Sequence, residues 1–190
     1  MQAPAPTLDM STPADPVERL VGLLDVERLD DNLFRSVRQE EGWKRVYGGQ
    51  VLGQALAAAQ KTAPDGRSPH SLHAYFLLPG DPGAPIIYQV ERARDGGSFS
   101  TRRVVAIQHG RPIFNLSTSL QIVEAGFEHQ APMPDVPGPE GLEDEVNIIR
   151  RHIAAVPESW RAFLLRPRAV EVRPVGGAGS FLPQMAEPTR

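Results

Sequence analysis

A helical segment built almost entirely from small side chains is the feature that most constrains this fold. Residues 48–63 read GGQVLGQALAAAQKTA and are followed by the turn sequence Pro64-Asp65-Gly66, so we predict one helix of about four turns. Gly49, Gly53 and Ala57 recur every four residues, which predicts a nearly bare stripe along one side of that helix. An interior glycine costs up to about 1 kcal/mol relative to alanine. Because close packing has to offset that cost, we expect a helix wrapped by a sheet rather than laid on its surface.

Four segments with the pattern of strands follow the helix. They are residues 70–78, 86–93, 99–108 and 113–123. The turn sequences Asp95-Gly96-Gly97 and His109-Gly110 separate the last three segments, which predicts an antiparallel meander. Within residues 114–122 the even positions are Phe, Leu, Thr, Leu and Ile, whereas the odd positions are Asn, Ser, Ser and Gln. One face of this strand is therefore expected to be buried, and the other to be wet or an interface.

The segments before the helix complete one predicted domain. Residues 17–24 form an amphipathic pattern behind Asp15-Pro16, which is a helix start signal. Residues 32–39 alternate loosely and predict a first strand. We therefore predict an α+β domain over residues 17–125, in which a curved antiparallel sheet wraps a central helix.

Proline and glycine mark the segments outside this domain. Residues 1–16 contain four prolines and predict a flexible tail. Residues 126–146 combine proline, glycine and acidic side chains without periodicity, which is typical of a linker. We interpret residues 147–190 as a linker helix, interrupted at Pro157, followed by a strand at 169–172 that begins a second, incomplete domain.

Composition excludes several classes of function. The 20 Lys and Arg against 23 Asp and Glu give a formal charge of −3 without a basic run, so neither nucleic acid nor insertion into a membrane is expected. The chain has no cysteine, which excludes disulfides, thiolate metal sites and a cysteine nucleophile. No metal or cofactor is expected. The N-terminal residues lack a basic and then apolar signal, and no apolar stretch approaches roughly 20 residues, so we expect a cytoplasmic protein.

Seven short sequence words carry a resemblance to a known family. They are YGGQVLGQAL at 47–56, HSLHAYFL at 70–77, PGD at 79–81, PIIYQV at 85–90, RDGGSFSTRRV at 94–104, EAGFE at 124–128 and AVEVRP at 169–174. In this order the words resemble the acyl-CoA thioesterase II family, which comprises bacterial thioesterase II and its peroxisomal relatives and has two hotdog modules in tandem. The resemblance implies a hotdog fold and hydrolysis of acyl-CoA to a free acid and coenzyme A. The family's catalytic Asp, Gln and Ser or Thr lie in the second module, so they are expected beyond Arg190 and no catalytic residue is assigned.

The start of the central helix is the first candidate binding element. Thioester hydrolysis requires donors for the oxyanion that develops on the carbonyl, and the N–H groups of a helix start supply them. Gly48, Gly49, Gln50 and Val51 are therefore substrate-binding candidates, with Gln54 one turn later. A structural role for Gln50 and Gln54 is the alternative, and no carboxylate for a general base occurs between residues 47 and 63.

His70 and Arg103 complete the candidate substrate-binding residues. On a strand, the spacing of His70 and His73 places their side chains on opposite faces, so they do not form a pair, and His70 is the better pocket candidate because it begins its strand. Arg103 is a candidate for the phosphates of coenzyme A, and a surface charge paired with Glu91 is its alternative. No Gly-x-Ser-x-Gly sequence occurs, which disfavours a serine hydrolase of the α/β type.

Three functions remain compatible with the sequence. The first is the N-terminal part of an acyl-CoA thioesterase, with acyl-CoA as substrate. The second is a non-catalytic module that binds acyl-CoA or regulates its use, and the third is an assembly module that uses the polar face of its last strand. All three predict a homo-oligomer through edge-to-edge pairing of hotdog sheets.

Overall fold

The fold was analysed in a computed structural model that describes residues 15–37 and 44–176. Six strands form one sheet in the order β1-β2-β4-β5-β6-β3, and all neighbouring strands are antiparallel. The strands are β1 (Val26–Asp30), β2 (Leu33–Ser36), β3 (Arg67–Phe76), β4 (Ile87–Asp95), β5 (Phe99–Gln108) and β6 (Arg111–Ile122). The helices are α1 (Pro16–Leu24), α2 (Gly48–Gln60), α3 (Glu145–Arg151) and α4 (Glu158–Leu164), with 3-10 turns at Pro139–Gly141 and Ile153–Ala155.

The predicted meander is present as β4, β5 and β6. His109 and Gly110 have φ values of 49° and 71°, and this left-handed geometry closes the tight turn between β5 and β6. In β6 the side chains of Phe114, Leu116 and Leu120 are buried, so the predicted alternation is confirmed. β3 lies outside β6 at one edge of the sheet.

A hairpin stands where the sequence predicted a single strand at 32–39. β1 and β2 pair across a two-residue turn at Asp31-Asn32, and β2 then pairs with β4. The end of the predicted strand, residues 38 and 39, lies outside the described residues. The Asp-Asn pair is the turn signal that distinguishes a hairpin from one strand.

Helix α2 packs against the sheet through small side chains. Val51, Ala55 and Ala58 are buried and form one cluster with residues of β4, β5 and β6, including Val104 and Leu116. Alanine at these positions brings the helix close to the sheet, so large residues on the strands fill the core. Each fully buried large apolar side chain contributes about 1.5–3 kcal/mol relative to an exposed one.

The glycine stripe does not face the sheet, which corrects the prediction from the sequence. Gly49 is exposed and Gly53 is only half-buried. A Cβ atom on Gly53 would lie 2.6 Å from Cδ2 of Leu24, at the end of α1. The absence of a side chain at Gly53 therefore allows α1 to approach α2, whereas Ala55 and Ala58 allow α2 to approach the sheet.

Helix α1 begins where the sequence predicted. Asp15 accepts a hydrogen bond from the backbone N–H of Val17 at 2.8 Å, and Pro16 occupies the first turn. A capping carboxylate of this kind stabilises a helix by about 1 kcal/mol. Of the tail predicted over residues 1–16, residues 1–14 lie outside the described part of the chain.

The segment after β6 contains an irregular stretch and two short helices but not the predicted strand. Residues 123–138 have no regular secondary structure and are exposed, and Pro157 separates α3 from α4. Residues 169–172 form no strand. A strand requires a neighbouring backbone, whereas the carbonyl of Val172 accepts a hydrogen bond from the N–H of Glu145 at the start of α3. Residues 177–190 lie outside the described residues.

The helices within residues 15–37 and 44–176 are all too short or too polar to cross a membrane.

Candidate functional site

An apolar groove of about 360 Å³ lies beside the start of α2. Its walls are the residues before α2, the first turn of α2, the end of β3 with the loop after it, and the start of β6. The lining residues are Arg45, Val46, Gly48, Val51, Phe76, Leu77, Leu78, Pro79, Gly80, Ile113 and Phe114. Arg45 is the one charged residue among them. The groove therefore suits an apolar ligand that carries negative charge at one end.

The first turn of α2 offers backbone donors next to this groove. Tyr47 occupies the N-cap position and makes no side-chain cap hydrogen bond. Its carbonyl accepts from the N–H groups of Gln50 at 3.0 Å and Val51 at 3.4 Å. Within the described part of the chain, the N–H groups of Gly48 and Gly49 donate to no backbone acceptor. These two donors, at the positive end of the helix dipole, favour a carbonyl oxygen or an anion.

Two aromatic rings explain why glycine stands twice at this helix start. A Cβ atom on Gly48 would lie 3.0 Å from the ring of Phe76, and one on Gly49 would lie 2.5 Å from the ring of Tyr47. The Phe76 ring in turn contacts the ring of Phe114, with centroids 5.0 Å apart. A side chain at Gly48 would thus displace Phe76 in the wall of the groove.

The amide of Gln54 is used inside the protein rather than in the groove. Gln54 is fully buried; its Nε2 donates to the carbonyl of Leu23, and its Oε1 accepts from the hydroxyl of Tyr88, both at 2.6 Å. Burial raises the pKa of the Tyr88 phenol well above its ordinary value, so this hydroxyl remains a donor. Gln54 therefore joins α1, α2 and β4, which agrees with the structural alternative for this residue.

Gln50 is also inside the protein. It is 2% exposed and does not belong to the set of residues that lines the groove. Of the candidates at the helix start, the structure brings Gly48 and Val51 to the groove wall and places Gly49 in the same turn.

His70 and Arg103 lie away from the groove. Nε2 of His70 contacts the hydroxyl of Ser119 at 2.8 Å, and its imidazole packs against the ring of Phe99. Arg103 pairs with Glu91 at 3.2 Å and is well exposed. Strand alternation puts these side chains on the outer face of the sheet, since neighbouring residues such as Val104 are buried against α2.

A buried arginine, the sequence neighbour of Arg103, closes the other end of α2. Arg102 has no exposed surface. Its Nε donates to Oγ1 of Thr62 at 2.9 Å and its Nη2 to the Thr62 carbonyl at 3.0 Å. The same Nη2 contacts both carboxylate oxygens of Asp95, at 2.8 and 3.0 Å. We call Thr62, Asp95, Ser100 and Arg102 the C-terminal lock.

The C-terminal lock also explains the sequence word RDGGSFSTRRV. The hydroxyl of Ser100 donates to Asp95 at 2.5 Å, and this hydrogen bond, followed by that from Arg102, holds the pKa of Asp95 below its ordinary value. Arg67 donates to Ser100 and to the carbonyls of Gly96 and Gly97. The hairpin carbonyls are therefore bound within the protein. An arginine at a position that strand alternation directs toward the core is the signal that would have found this role.

The groove lacks a group that activates water. Its lining residues include neither a carboxylate nor an imidazole. Among residues 15–37 and 44–176, moreover, no three His, Asp or Glu side chains are grouped to hold a metal ion. The groove therefore offers apolar contacts and backbone N–H donors to a ligand.

A helix lying across a curved antiparallel sheet, with its start beside an apolar groove, is the architecture of a hotdog-fold protein. A hot dog fold protein of unknown function from Alicyclobacillus acidocaldarius shares it with a TM-score of 0.59 and 21% identity, over 75% of this chain and 52% of that one. Residues 39–121 match the family model for the acyl-CoA thioesterase N-terminal domain. This match confirms the resemblance found in the sequence.

Two similar proteins show how much of a longer protein the match covers. Acyl-CoA thioesterase 2 of Haemophilus influenzae is 44% identical over 160 residues, which are 84% of this chain and 56% of that protein. The crystal structure of the acyl-CoA thioesterase II TesB2 from Mycobacterium marinum is 43% identical with a TM-score of 0.58, over 64% of this chain and 45% of that chain. The chain thus spans about half the length of the relatives it matches.

Proposed function

We propose that this chain is the N-terminal part of an acyl-CoA thioesterase, which hydrolyses an acyl-CoA to a free acid and coenzyme A. The observation that carries this proposal is the apolar groove beside an uncapped helix start with two glycine N–H groups. The family match over residues 39–121 supports the same conclusion. Under this proposal the reaction belongs to lipid metabolism.

The proposed ligand orientation follows from the chemistry of the groove. The acyl chain lies along Phe76, Leu78 and Phe114, and the thioester oxygen accepts from Gly48 and Gly49. The loss of one such donor costs about 10²–10³ in rate in enzymes of this kind. Arg45 then lies toward the phosphates of coenzyme A, a role for which Arg103 was the candidate in the sequence analysis.

The general base is proposed to come from a second hotdog module. None of the residues that line the groove has a carboxylate or imidazole side chain, and the resemblance implies catalytic Asp, Gln and Ser or Thr residues beyond Arg190. Gln50, which is buried in the first turn, has the proposed role of holding the turn rather than the substrate. Residues 1–190 alone are then expected to bind acyl-CoA and to hydrolyse it slowly.

The edge strand β3 is the proposed surface for pairing with another hotdog sheet. β3 pairs with β6 on one side only, and Leu72, Tyr75 and Phe76 on it are exposed. A second hotdog sheet would satisfy the unpaired backbone groups and cover these side chains, so we propose a homo-oligomer. The absence of cysteine is consistent with the cytoplasmic location that we propose.

Calorimetry with two matched ligands tests the proposed orientation. S-octyl-CoA and S-octyl-pantetheine share the apolar tail, and neither can be hydrolysed, but only the first carries the nucleotide phosphates. We expect saturable binding of both, and Arg45→Ala should weaken binding of S-octyl-CoA about 10-fold while leaving S-octyl-pantetheine unchanged. Arg103→Ala is the matched control on the outer face. No binding of either ligand would refute the function, and a larger loss with Arg103→Ala would return the phosphate site to Arg103.

A second candidate function, a module that binds acyl-CoA without hydrolysing it, is favoured by the missing base. Release of free thiol from octanoyl-CoA distinguishes the two. Hydrolysis that increases when the second half of a relative is supplied supports the thioesterase, whereas binding without turnover in both conditions supports the binding module. Rapid turnover by residues 1–190 alone would show that a base lies within them.

A further inference from the structure

A single buried amide at the tip of the β5–β6 hairpin holds one wall of the groove. Gln108 is the last residue of β5 and is 4% exposed. Its Oε1 accepts from the N–H of Asp81 at 2.8 Å, and its Nε2 donates to the carbonyls of Asp81 at 2.9 Å and Ala84 at 2.7 Å. Residues 77–86 connect β3 to β4 without regular structure. The three hydrogen bonds therefore fix a loop that has no strand ladder of its own.

The same loop is joined to the residues that precede α2. The carbonyl of Gly80 accepts from the N–H of Val46 at 3.0 Å. A Cβ atom on Gly80 would lie 3.0 Å from Cβ of Val46, so the two backbones approach closely. Val46 and Gly80 both line the groove, and Gln108 does not. A continuous set of contacts thus runs from Gln108 through the loop to the start of α2.

A second contact at the hairpin tip is weaker. Nε2 of His109 lies 2.9 Å from the carboxylate of Asp81, whose other oxygen accepts from the N–H of Gly83. Both side chains of this ion pair are about half exposed, and exposed pairs contribute little because water and salt screen them. The ends of the loop are held by Ile113, which accepts from the N–H groups of Leu77 and Leu78, and by the pairing of Ile86 with Ser36. Its middle, residues 81–84, depends mainly on the hydrogen bonds from the side chain of Gln108.

We propose that Gln108 is a positioning residue, which sets the separation between the loop wall and the first turn of α2 without touching the ligand. The affinity of the groove then depends on a side chain outside it. The identity of the ligand rests on the proposed function, whereas the mechanical connection from Gln108 to Val46 does not.

Amide hydrogen exchange tests the mechanical connection without any ligand. Gln108→Met keeps the length of the side chain and removes all three hydrogen bonds. We expect exchange about 10-fold faster at the N–H groups of both Asp81 and Val46. The control Thr118→Val removes a buried hydrogen bond to the Ser71 carbonyl, far along β6, and should leave both rates unchanged. Faster exchange at Asp81 alone would overturn the proposal.

Affinity for S-octyl-CoA tests the consequence for the groove. We expect binding about 10-fold weaker in Gln108→Met and unchanged in Thr118→Val. Should Gln108→Met not fold, Gln108→Asn places the amide one methylene short of the loop and carries the same expectations. Equal affinity in the wild type and the Gln108 variant overturns the proposal. If the wild type does not bind the probe, the proposed function fails, and the exchange rates still decide the role of Gln108.

Discussion

The two ends of α2 are built in opposite ways. At the C-terminal end, the C-terminal lock surrounds Thr62 with a fully buried guanidinium whose hydrogen bonds are satisfied. At the N-terminal end, Tyr47 gives no side-chain cap, and two glycines leave their N–H groups beside an open groove. One end has its polar groups bound inside the protein, and the other leaves them for a ligand.

This difference suggests that the C-terminal end of α2 contributes mainly to stability and the N-terminal end mainly to binding. A buried, hydrogen-bonded arginine is costly to disturb because each partner loses a charged hydrogen bond. An uncapped helix start gives up about 1 kcal/mol that a Ser or Asp cap would supply. We infer that the C-terminal end provides the anchorage that allows the N-terminal end to remain open.

The largest expected effect is the loss of the C-terminal lock. Arg102→Met should lower the free energy of unfolding by about 3 kcal/mol, because Thr62 and Asp95 lose their buried partner. Urea unfolding measures the loss, and the affinity of the folded fraction for S-octyl-CoA should not change. The neighbouring, exposed Arg103→Met is the control, expected within about 0.5 kcal/mol of the wild type. Equal losses in both variants would remove the distinction between the two ends.

The next effect concerns the groove. Gly48→Ala should weaken binding of S-octyl-CoA about 10-fold, because a Cβ there meets Phe76. The free energy of unfolding should change by no more than about 1 kcal/mol. Gly22→Ala makes the same substitution in α1, where nothing lies within 4 Å of the added atom, and should leave calorimetric affinity unaltered. A Gly48→Ala variant that binds normally would remove Phe76 from the proposed binding surface.

A side-chain cap at the N-terminal end of α2 should increase the stability of the protein and weaken its binding of a ligand. Tyr47→Ser places a hydroxyl where it can accept from the N–H of Gly49 or Gln50, so the variant should be about 1 kcal/mol more stable than Tyr47→Ala. The hydroxyl competes with a ligand carbonyl for the same donors, so S-(2-oxononyl)-CoA, a non-hydrolysable ketone analogue of octanoyl-CoA, should bind Tyr47→Ser more weakly than Tyr47→Ala. Thermal unfolding and calorimetry measure the pair. Higher stability with equal affinity would show that these donors do not contact the ligand.

The smallest expected effect is the response of the C-terminal lock to acid. The pKa of Asp95 is lowered in the folded state by Ser100 and Arg102, so its stabilisation is complete above the unfolded value near 3.8 and is lost as the pH falls through the folded value. Because Asp95 is partly exposed, the contribution is at most about 1 kcal/mol. Between pH 6 and pH 2.5, urea unfolding of the wild type should lose more stability than that of Asp95→Asn. Equal losses of stability in the wild type and in Asp95→Asn would contradict the assignment of this effect to Asp95.

The sequence predicted what depends on local periodicity and turn chemistry. α2, the meander and its hairpin turns were predicted correctly because small helix formers and Asp-Gly or His-Gly turns specify local geometry. The alternation in β6 similarly predicted its buried face. The direction of the glycine stripe was not predictable, since it depends on Leu24 of another helix.

The candidate site was only partly predictable for the same reason. Gly48 and Val51 are in the groove wall because they belong to the helix start. Gln54 and His70 are polar residues whose partners, Tyr88 and Ser119, come from strands distant in sequence. The pairing of Arg103 with Glu91 was the alternative that the sequence analysis kept for this residue, and the structure shows it. Neither Arg45 nor Gln108 belongs to a sequence motif. Their roles follow only from the folded positions of the start of α2, the β3–β4 loop and the β5–β6 hairpin.

The edge strand β3 has a consequence for handling the isolated chain. Pro69 has no N–H, so it limits strand addition at one end of this edge, but the residues after it carry Leu72, Tyr75 and Phe76 at the surface. An unpaired strand edge with exposed apolar side chains at one end can template cross-β aggregation. We therefore expect purified protein to aggregate sooner as its concentration rises. A strand that pairs with the free edge of β3 should slow this aggregation.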